Sequence, residues 1–376
     1  MASLSPSNSR FARIILPGII LQSVLIGGGF ATGREIVEYG GRFGASGWIS
    51  GLAIFVGFSL LATLTFEACR QWEVFDYKSL LKKLIGKGWI AYEVSYLILG
   101  ILIIAVMASA AGEILNNTLG FNVWVGIVLI ILLVGFLNYM GENFIARMKT
   151  MGTVALFGAY TIFGIVVFTS RADQIFEVFK GWNTSFTPEP ASVLLLIWTG
   201  ITYVGYNLAV YPSTFFTVKN IQTKKESITA GFIAGLLMTI PWFLTYVAVM
   251  AYYPSHEVLD ATVPWLKMLE PFGASFVIIF GIVVGWTLVE TATGIIHAFI
   301  GRIDADVFQK NKTHLSGGRK ALISLVALIA AMLLAQVGII DLIAKGYSYM
   351  AYAMILFYGL PLLVAAPKLM FKNQSV

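Results

Sequence analysis

The sequence is poor in charge. Only 12% of its 376 residues are Asp, Glu, Lys or Arg, whereas 58% are hydrophobic. A water-soluble domain carries about 25% charged residues, so lipid must be the solvent for most of these side chains. The formal net charge of +6 does not indicate a nucleic-acid partner, because the basic residues lie in short segments between apolar runs. The chain is therefore expected to be an integral membrane protein.

Residues that bind metals or form disulfides are equally scarce. The single cysteine, Cys69, excludes an internal disulfide and a cysteine-based metal cluster. His256, His297 and His314 are scattered along the chain, which argues against a zinc site. The patterns GxxxxGK[ST] and HExxH do not occur, so neither ATP-driven transport nor an enzymatic activity is expected. The N-terminus lacks the features of a cleaved secretory signal, so the first apolar segment is expected to stay in the membrane.

Long apolar runs are what the sequence has in abundance. A bilayer core requires about 20 consecutive apolar residues per helix. On that criterion the sequence predicts about ten transmembrane spans, several of them long enough to be tilted or broken. They lie near residues 12–39, 45–69, 88–116, 121–140, 144–169, 191–217, 227–253, 272–301, 319–338 and 341–367.

The distribution of basic residues gives the orientation of these spans. Cytoplasmic loops carry an excess of Lys and Arg. If both termini are cytoplasmic, only six basic residues fall on the outer side: Arg34, Arg42, Arg171, Lys180, Lys267 and Lys345. We therefore predict one membrane domain, 1–376, with cytoplasmic termini. Its outer segment 254–271 is expected to form a short helix over the external mouth.

Two of the spans contain candidate interruptions. In span 1, Gly27, Gly28 and Gly29 follow one another at mid-membrane, and each glycine costs a helix about 1 kcal/mol relative to alanine. Unwound backbone is tolerated in a membrane only where it lines a cavity or meets a ligand. In span 6, Gly205 stands among polar and aromatic residues from Thr202 to Asn207. The alternative is that these glycines only permit close helix packing, as small residues do in membranes.

The two interruptions occupy corresponding positions in the two halves of the chain. Five spans separate the starts of spans 1 and 6, and an odd number of crossings inverts the second half relative to the first. Broken helices at corresponding positions of inverted halves are a sequence pointer to a transporter's binding site. The halves are expected to be about 12–170 and 191–367.

The residues at both interruptions resemble the motifs of a known superfamily. Ile26-Gly27-Gly28-Gly29-Phe30 is similar to the helix 1 motif of amino acid–polyamine–organocation transporters, and Tyr203-Val204-Gly205-Tyr206-Asn207 is similar to their helix 6 motif. This chain has Asn207 where those proteins commonly have an acid. The overall pattern resembles the YkvI-like bacterial membrane proteins of that superfamily. The resemblance implies a five-plus-five inverted repeat, which is the leucine-transporter fold, and a location in the bacterial cytoplasmic membrane.

The resemblance also implies a substrate site between helices 1, 3, 6, 8 and 10. The second half of helix 1 begins near Gly29, and the free N–H groups at its start favour a carboxylate. The carbonyl ends of the first half-helices suit an amine, so together they suit a zwitterion or related amine. The candidate substrate-binding residues are Gly27, Gly28, Gly29, Phe30, Tyr203, Gly205, Tyr206 and Asn207.

Glu290 lies near the middle of span 8, where a carboxylate is costly and should face a partner, water or an ion. Thr287, Glu290 and Thr291 are spaced i, i+3 and i+4, which places their oxygens on one helix face and suits a hard cation. In sodium-coupled members of the superfamily, helix 8 supplies oxygens at this spacing beside carbonyls of helix 1, here those of Val24 and Gly27.

Three roles for Glu290 therefore remain open. It belongs to a Na⁺ site, takes up a proton, or is a structural carboxylate bonded to helix 1. Proton-coupled relatives often place a lysine of helix 5 in the sodium position, but here Lys149 lies near the cytoplasmic start of that helix. Apart from a coupling ion, no cofactor is expected.

Charges in the outer half of helix 1 suggest an external gate. Arg34 on helix 1 and Asp341 at the start of span 10 are the candidate pair, because members of the superfamily often close the outer path in this way. The alternative is that Arg34, Glu35, Glu38 and Asp341 are ordinary solvated charges of the outer vestibule.

The function expected from these features is secondary active transport. The substrate would be an amino acid or related small amine, coupled to Na⁺ or H⁺, and transport would proceed by alternating access. The alternative is a sensor subunit of the same fold that binds an amino acid without transporting it.

Overall fold

The computed structural model is helical throughout its regular structure. It describes residues 9–27, 29–140 and 142–371, without the side chains of 139–140, 142–154, 157, 306, 309–310 and 371. Gly28 lies outside the described residues, and so does the side chain of Lys149. In the first half the helices are α1 (Arg10–Ile14), α2 (Leu16–Leu25), α3 (Gly29–Thr32), α4 (Arg34–Tyr39), α5 (Trp48–Trp72), α6 (Tyr77–Ile85), α7 (Trp89–Leu119), α8 (Val123–Met140), α9 (Glu142–Ser170) and α10 (Ala172–Lys180).

The remaining helices follow after residue 190. Its helices are α11 (Val193–Asn207), α12 (Phe215–Val218), α13 (Lys224–Met250), α14 (His256–Leu259), α15 (Pro264–Leu269), α16 (Ala274–Asn311), α17 (Gly317–Ala335), α18 (Ile339–Asp341), α19 (Ser348–Met354) and α20 (Leu360–Phe371). The helices α14 and α15 lie in the segment predicted to carry a short helix outside the membrane.

The apolar helices occupy the ten predicted spans. Within the described residues, seven are long and apolar enough to cross a membrane: Gly41–Trp72, Tyr77–Leu119, Val193–Val218, Lys224–Met250, Ala274–Ala305, Gly317–Ala335 and Ile339–Met370. Three shorter apolar helices, Leu16–Leu25, Val123–Asn138 and Gly158–Ser170, fall in the remaining predicted spans. The chain is a membrane protein.

Span 1 is broken where the glycines stand. Helix α2 ends at Leu25, the backbone leaves the helix at Ile26 and Gly27, and α3 begins at Gly29. A second change of direction separates α3 from α4 at Gly33, whose φ is +84°. A side chain at that position would be strained, because L-residues with a Cβ rarely adopt positive φ. The predicted break of helix 1 is confirmed.

Span 6 is interrupted later than its glycine suggested. Helix α11 continues through Gly205 to Asn207, and a 3₁₀ segment, Leu208–Thr214, then leads to α12. The physical reason is Pro212, which lacks an N–H group and cannot continue a regular α-helix. A Cβ on Gly205 would lie 2.8 Å from Ile355 Cδ1 and 3.0 Å from Ala351 Cβ. The predicted position of this break was therefore wrong, and Gly205 serves close helix packing.

The long helices associate in two groups. The first, which we call the bundle, contains α2, α5, α11 and α13, and the second, the scaffold, contains α7, α8, α16 and α17. Within the bundle, α5 and α13 approach closely at Gly231 and Gly235. A Cβ on Gly231 would lie 2.5 Å from the backbone nitrogen of Thr63, and one on Gly235 would lie 2.7 Å from that of Ser59. Helices α5 and α13 therefore pack backbone against backbone.

A buried carboxylate and its partners link three helices, α5, α13 and α20, by hydrogen bonds. The side chain of Glu67 on α5 is fully buried, and it accepts hydrogen bonds from Arg70 (2.6 and 2.9 Å), from Gln71 (2.7 Å) and from Ser227 Oγ on α13 (2.7 Å). Gln71 also donates to the carbonyl of Leu369 on α20 (2.6 Å). Because all these partners are donors, the network requires the ionised form of Glu67.

Glu67→Gln is expected to lower the free energy of unfolding by about 1–3 kcal/mol, because hydrogen bonds to charged groups are worth about that much. The amide also presents N–H groups to partners that are themselves donors. Thermal unfolding in detergent, followed by tryptophan fluorescence, measures the change. Glu189→Gln, which removes an exposed loop carboxylate, should leave the unfolding temperature unchanged; equal effects of the two changes would contradict the assigned role of Glu67.

Candidate functional site

A cavity of about 510 Å³ lies between the bundle and the scaffold. This volume is in the range of small-molecule sites. The bundle contributes the broken part of helix 1 and the segment from Tyr206 to Ser213, while the scaffold contributes faces of α7 and α16. The cavity runs from Gly29 and Glu35 near the helix 1 break to Arg302 near the end of α16. A solute in this space would contact both groups of helices.

The helix 1 break is in direct contact with α16. A Cβ on Gly27 would lie 2.7 Å from Thr291 Oγ1, 2.8 Å from its Cγ2 and 3.3 Å from its Cβ. Only glycine at this position allows the threonine to pack against the unwound backbone. The structure thus brings together Gly27 and Thr291, which the sequence had assigned to one cation site.

Gly27→Ala is expected to destabilise the protein and to weaken ligand binding, because overpacking in a filled contact typically costs about 1–3 kcal/mol. Thr291→Ala removes the two atoms that the new methyl group meets most closely, Oγ1 and Cγ2, so the double variant should recover stability relative to Gly27→Ala alone. A thermal-stability cycle over the four proteins measures this coupling. Strictly additive effects would contradict the contact.

Not all of the candidate cation ligands border the cavity. Val24, Glu290 and Thr291 line the cavity, whereas Thr287 is buried away from it. The Thr287 and Thr291 hydroxyls donate to the carbonyls of Val283 and Thr287, each at 2.9 Å. Their lone pairs remain available to a cation. Among the described residues, no three His, Cys, Asp or Glu side chains are grouped as metal ligands, so any cation here would depend on hydroxyl and carbonyl oxygens besides Glu290.

Glu35 is the residue that sequence reasoning missed. It was interpreted as a gate neighbour or a solvated vestibule charge, but it is 5% exposed and lines the cavity. Its Oε2 accepts a hydrogen bond of 2.7 Å from the Tyr206 hydroxyl, and the Phe30 backbone also hydrogen-bonds the carboxylate. Its Oε1 lies against Gly29, where a Cβ would collide with it. A carboxylate of the protein thus stands where a substrate carboxylate was expected.

Aromatic rings line part of the cavity wall. Tyr206 and Tyr347 both border the cavity, with ring centroids 4.7 Å apart. Tyr347 ends a π-helical stretch, Leu342–Tyr347, and such irregular turns are frequent at functional sites. Asn207 lines the cavity as expected, although its amide nitrogen donates to the carbonyl of Tyr203 (2.9 Å).

Two other predicted substrate residues lie behind the wall. Phe30 and Tyr203 are fully buried and do not border the cavity, and Gly205 faces α19 instead. Tyr203 packs edge-on against Tyr39 (5.4 Å) and Phe58 (6.0 Å). Neighbouring helices cover Phe30, Tyr203 and Gly205 in this conformation, so the structure does not place them on the cavity wall. Their role as substrate ligands stays a prediction.

Buried side chains pack together on the predicted outer side of the cavity. Arg34 is 5% exposed and donates to the carbonyls of Leu259 (2.6 Å) and Ala261 (3.2 Å), which lie in the segment around α14. Trp265 on α15 packs against Gly33. We call Arg34, Trp265 and the backbone of 259–261 the outer seal.

The predicted gate partner does not take part in this seal. Arg34 pairs with Glu38 at 3.1 Å, and the exposed Asp341 pairs with Lys345 at 2.9 Å. Both are i,i+4 pairs within a helix, so each charge finds a local partner. The structure therefore does not bring Arg34 and Asp341 together.

The opposite end of the cavity carries an arginine held between rings. The Arg302 guanidinium lies 3.6 Å from the ring centroid of Tyr96 and 4.0 Å from that of Tyr77, and it pairs with Glu93 at 3.2 Å. Arginine stacks well on aromatic faces. This cluster ties α6, α7 and α16 together on the side predicted to be cytoplasmic.

Chemically, the centre of the cavity is lined by carboxyl groups and aromatic rings. Glu35 and Glu290 contribute carboxyl groups, Tyr206 and Tyr347 contribute rings, and the helix 1 break contributes unwound backbone. Such a site can bind a small solute with a positive group. It has no arrangement of nucleophile and base that would suggest catalysis among the described lining residues.

Comparison with known proteins identifies a relative along almost the whole chain. No protein-family model matches the sequence. Over 356 residues it is 22% identical to the uncharacterised membrane protein YkvI of Bacillus subtilis (strain 168), an alignment that covers 92% of this chain and 94% of that protein.

Solved structures match at low identity over nearly the full length. Mhp1, a nucleobase-cation-symport-1 family transporter in a closed conformation with bromovinylhydantoin, matches with a TM-score of 0.64 and 15% identity, covering 96% of this chain and 81% of that one. MhsT in complex with L-phenylalanine gives 0.61 and 15%, covering 93% and 88%. A Na⁺-coupled sialic acid symporter gives 0.53 and 12%, covering 94% and 86%. The predicted leucine-transporter fold is confirmed.

Proposed function

We propose that this membrane protein is a secondary transporter that carries a small amine-bearing solute, an amino acid or a related amine, by alternating access. The observation that carries the proposal is the cavity between the bundle and the scaffold, at the break of helix 1. A solute bound there touches both groups of helices, so movement of one group against the other would expose it to opposite sides of the membrane. The symporters among the structural matches support this reading at the level of fold.

Coupling to Na⁺ or H⁺ is part of the proposal. Val24, Gly27, Glu290 and Thr291 border one stretch of the cavity and offer oxygens to a hard cation. Glu290 alone would suffice as a proton carrier. The distribution of basic residues supports cytoplasmic termini, and the YkvI relative supports a bacterial cytoplasmic membrane.

Uptake into proteoliposomes tests the proposal. The purified protein is reconstituted, a sodium or a proton gradient is imposed, and accumulation of radiolabelled amino acids and small amines is measured. Accumulation above equilibrium that collapses with one of the two gradients is the expected result and identifies the coupling ion. Ligand-dependent thermal stabilisation of the same protein without accumulation would instead support the sensor function, since binding alone stabilises a folded protein.

A further inference from the structure

We propose that Glu35 is a built-in counter-ion that makes the cavity selective for organic amine cations that lack a carboxylate, over the corresponding zwitterionic amino acids. This inference rests on the proposed function and deepens it, because it names the charge of the ligand and the residue that selects it. It is carried by the position of one buried carboxylate in the cavity wall.

The first observation is that Glu35 occupies the wall with its oxygens fixed. The carboxylate is held at Oε2 by the Tyr206 hydroxyl at 2.7 Å and by the backbone of Phe30, while Oε1 lies against Gly29. The two donors fix the orientation of the carboxyl group at the cavity wall. A carboxylate so held is preorganised to receive an ammonium group.

The second observation is that no basic side chain among the described residues is paired with Glu35. Arg34, the adjacent residue, points away and pairs with Glu38 and the carbonyls of 259–261. Among the described residues that line the cavity, the one basic side chain is Arg302, which lies at the other end and pairs with Glu93. Burial disfavours the ionised form of a carboxyl group that has no counter-charge. A cationic ligand that supplies this charge therefore stabilises the ionised form of Glu35 and is bound by it.

The groups that face Glu35 are mostly phenols. Tyr206, Tyr347 and Tyr39 come from α11, the π-helical stretch and α4, and Tyr160 of α9 donates to the carbonyl of Ala31. Glu290 of α16 is the other acid on the cavity wall. Phenol rings attract a cation over their faces, so they add to the attraction of the carboxylate.

The carboxylate of a zwitterionic ligand would be repelled in this cavity. Its ammonium group would be attracted by Glu35, but its carboxylate would enter a wall that already holds Glu35 and Glu290. Like charges in a poorly screened site repel strongly. The position beside Gly29 that a substrate carboxylate needs is filled by Glu35 itself. Removing the carboxylate from the ligand should therefore improve binding rather than weaken it.

Matched pairs of an amino acid and its decarboxylated amine provide the test. Leucine with isoamylamine, phenylalanine with phenethylamine, and lysine with cadaverine are compared by thermal stabilisation and by proteoliposome uptake, with the wild-type protein. The expected result is that at least one amine binds at least about tenfold more tightly than its amino acid, because it carries no carboxylate to be repelled by the acids of the wall. Glu35→Gln should remove that preference.

Three further variants make the assignment specific. Glu35→Asp keeps the carboxyl group and should retain the preference for the amine. Tyr206→Phe removes one orienting donor and should weaken that preference. Glu270→Gln removes an exposed carboxylate and should leave the preference unchanged. Retention of the preference in Glu35→Gln would overturn the inference. A stable Glu35→Asp protein that retains it shows that charge, not folding, is responsible.

The readouts separate the inference from the proposed function. Tighter binding and accumulation of amino acids than of their amines would leave transport intact and overturn the role of Glu35. Binding of amines without accumulation would support the role of Glu35 and overturn transport. Absence of stabilisation by every amine and every amino acid tested would overturn both.

Discussion

Glu290→Gln is expected to abolish ion-coupled accumulation while leaving the fold intact. Glu290 lines the cavity on α16, one residue before the Thr291 that packs on the helix 1 break. A coupling cation there loses its charged ligand in the variant, which should weaken ion binding by about tenfold or more. A proton carrier would lose its titrating group altogether.

Two gradients and one matched variant give the measurement its discriminating power. Accumulation is recorded in proteoliposomes under a sodium gradient and under a proton gradient. The gradient that drives accumulation by the wild-type protein identifies the coupling ion. Glu113→Gln removes another carboxylate of a membrane helix, one that does not line the cavity, and should leave accumulation unchanged. Full gradient-driven accumulation by Glu290→Gln would assign Glu290 to the structural role.

Gly231→Leu is expected to prevent assembly of the bundle, so that no folded protein is recovered. A Cβ at this position would lie 2.5 Å from the backbone nitrogen and 2.6 Å from the Cα of Thr63 on α5. A side chain can rotate away from a contact, but backbone atoms cannot, so α5 and α13 would have to separate along their length. The cost should exceed the roughly 1–3 kcal/mol of ordinary overpacking.

The matched variant is Gly158→Leu on α9, where an added Cβ meets nothing within 4 Å. Both changes add the same side chain to a glycine of a membrane helix, so their comparison isolates the contact. Size-exclusion chromatography and thermal unfolding in detergent should show a monodisperse, stable protein only for Gly158→Leu. Normal yield and stability of Gly231→Leu would show that α5 and α13 do not pack as described.

The interruptions of the helices show where sequence reasoning succeeds. Three successive glycines leave no side chain to pack, so the break of helix 1 was visible in the sequence. The break of helix 6 was placed at Gly205, although Pro212 was the stronger signal, because a missing N–H group interrupts a helix whatever its surroundings. Gly205 could not be assigned from sequence, since its role depends on the approach of Ile355 and Ala351.

The candidate site was less predictable because its side chains are placed by tertiary contacts. Glu35 reaches Gly29 only because the chain turns at Gly33, a conformation that the sequence permits but does not dictate. Whether Tyr203 or Tyr206 faces a cavity depends on the helices that cover each ring. Arg34 and Asp341 each pair with another residue for a local reason that was visible in the sequence: Glu38 and Lys345 stand four residues from them.

The outer seal determines where the membrane voltage acts. On one side of Glu35 the cavity continues to Arg302, and on the other side the buried Arg34 and Trp265 close it. A cavity filled with water and open at the Arg302 end would stay close to the electrical potential of that solution, and most of the voltage would then fall across the seal. Each elementary charge that crosses gains or loses about 2.3 kcal/mol per 100 mV. In such a cavity a layer only a few side chains thick would separate a bound cation from most of the electrical driving force.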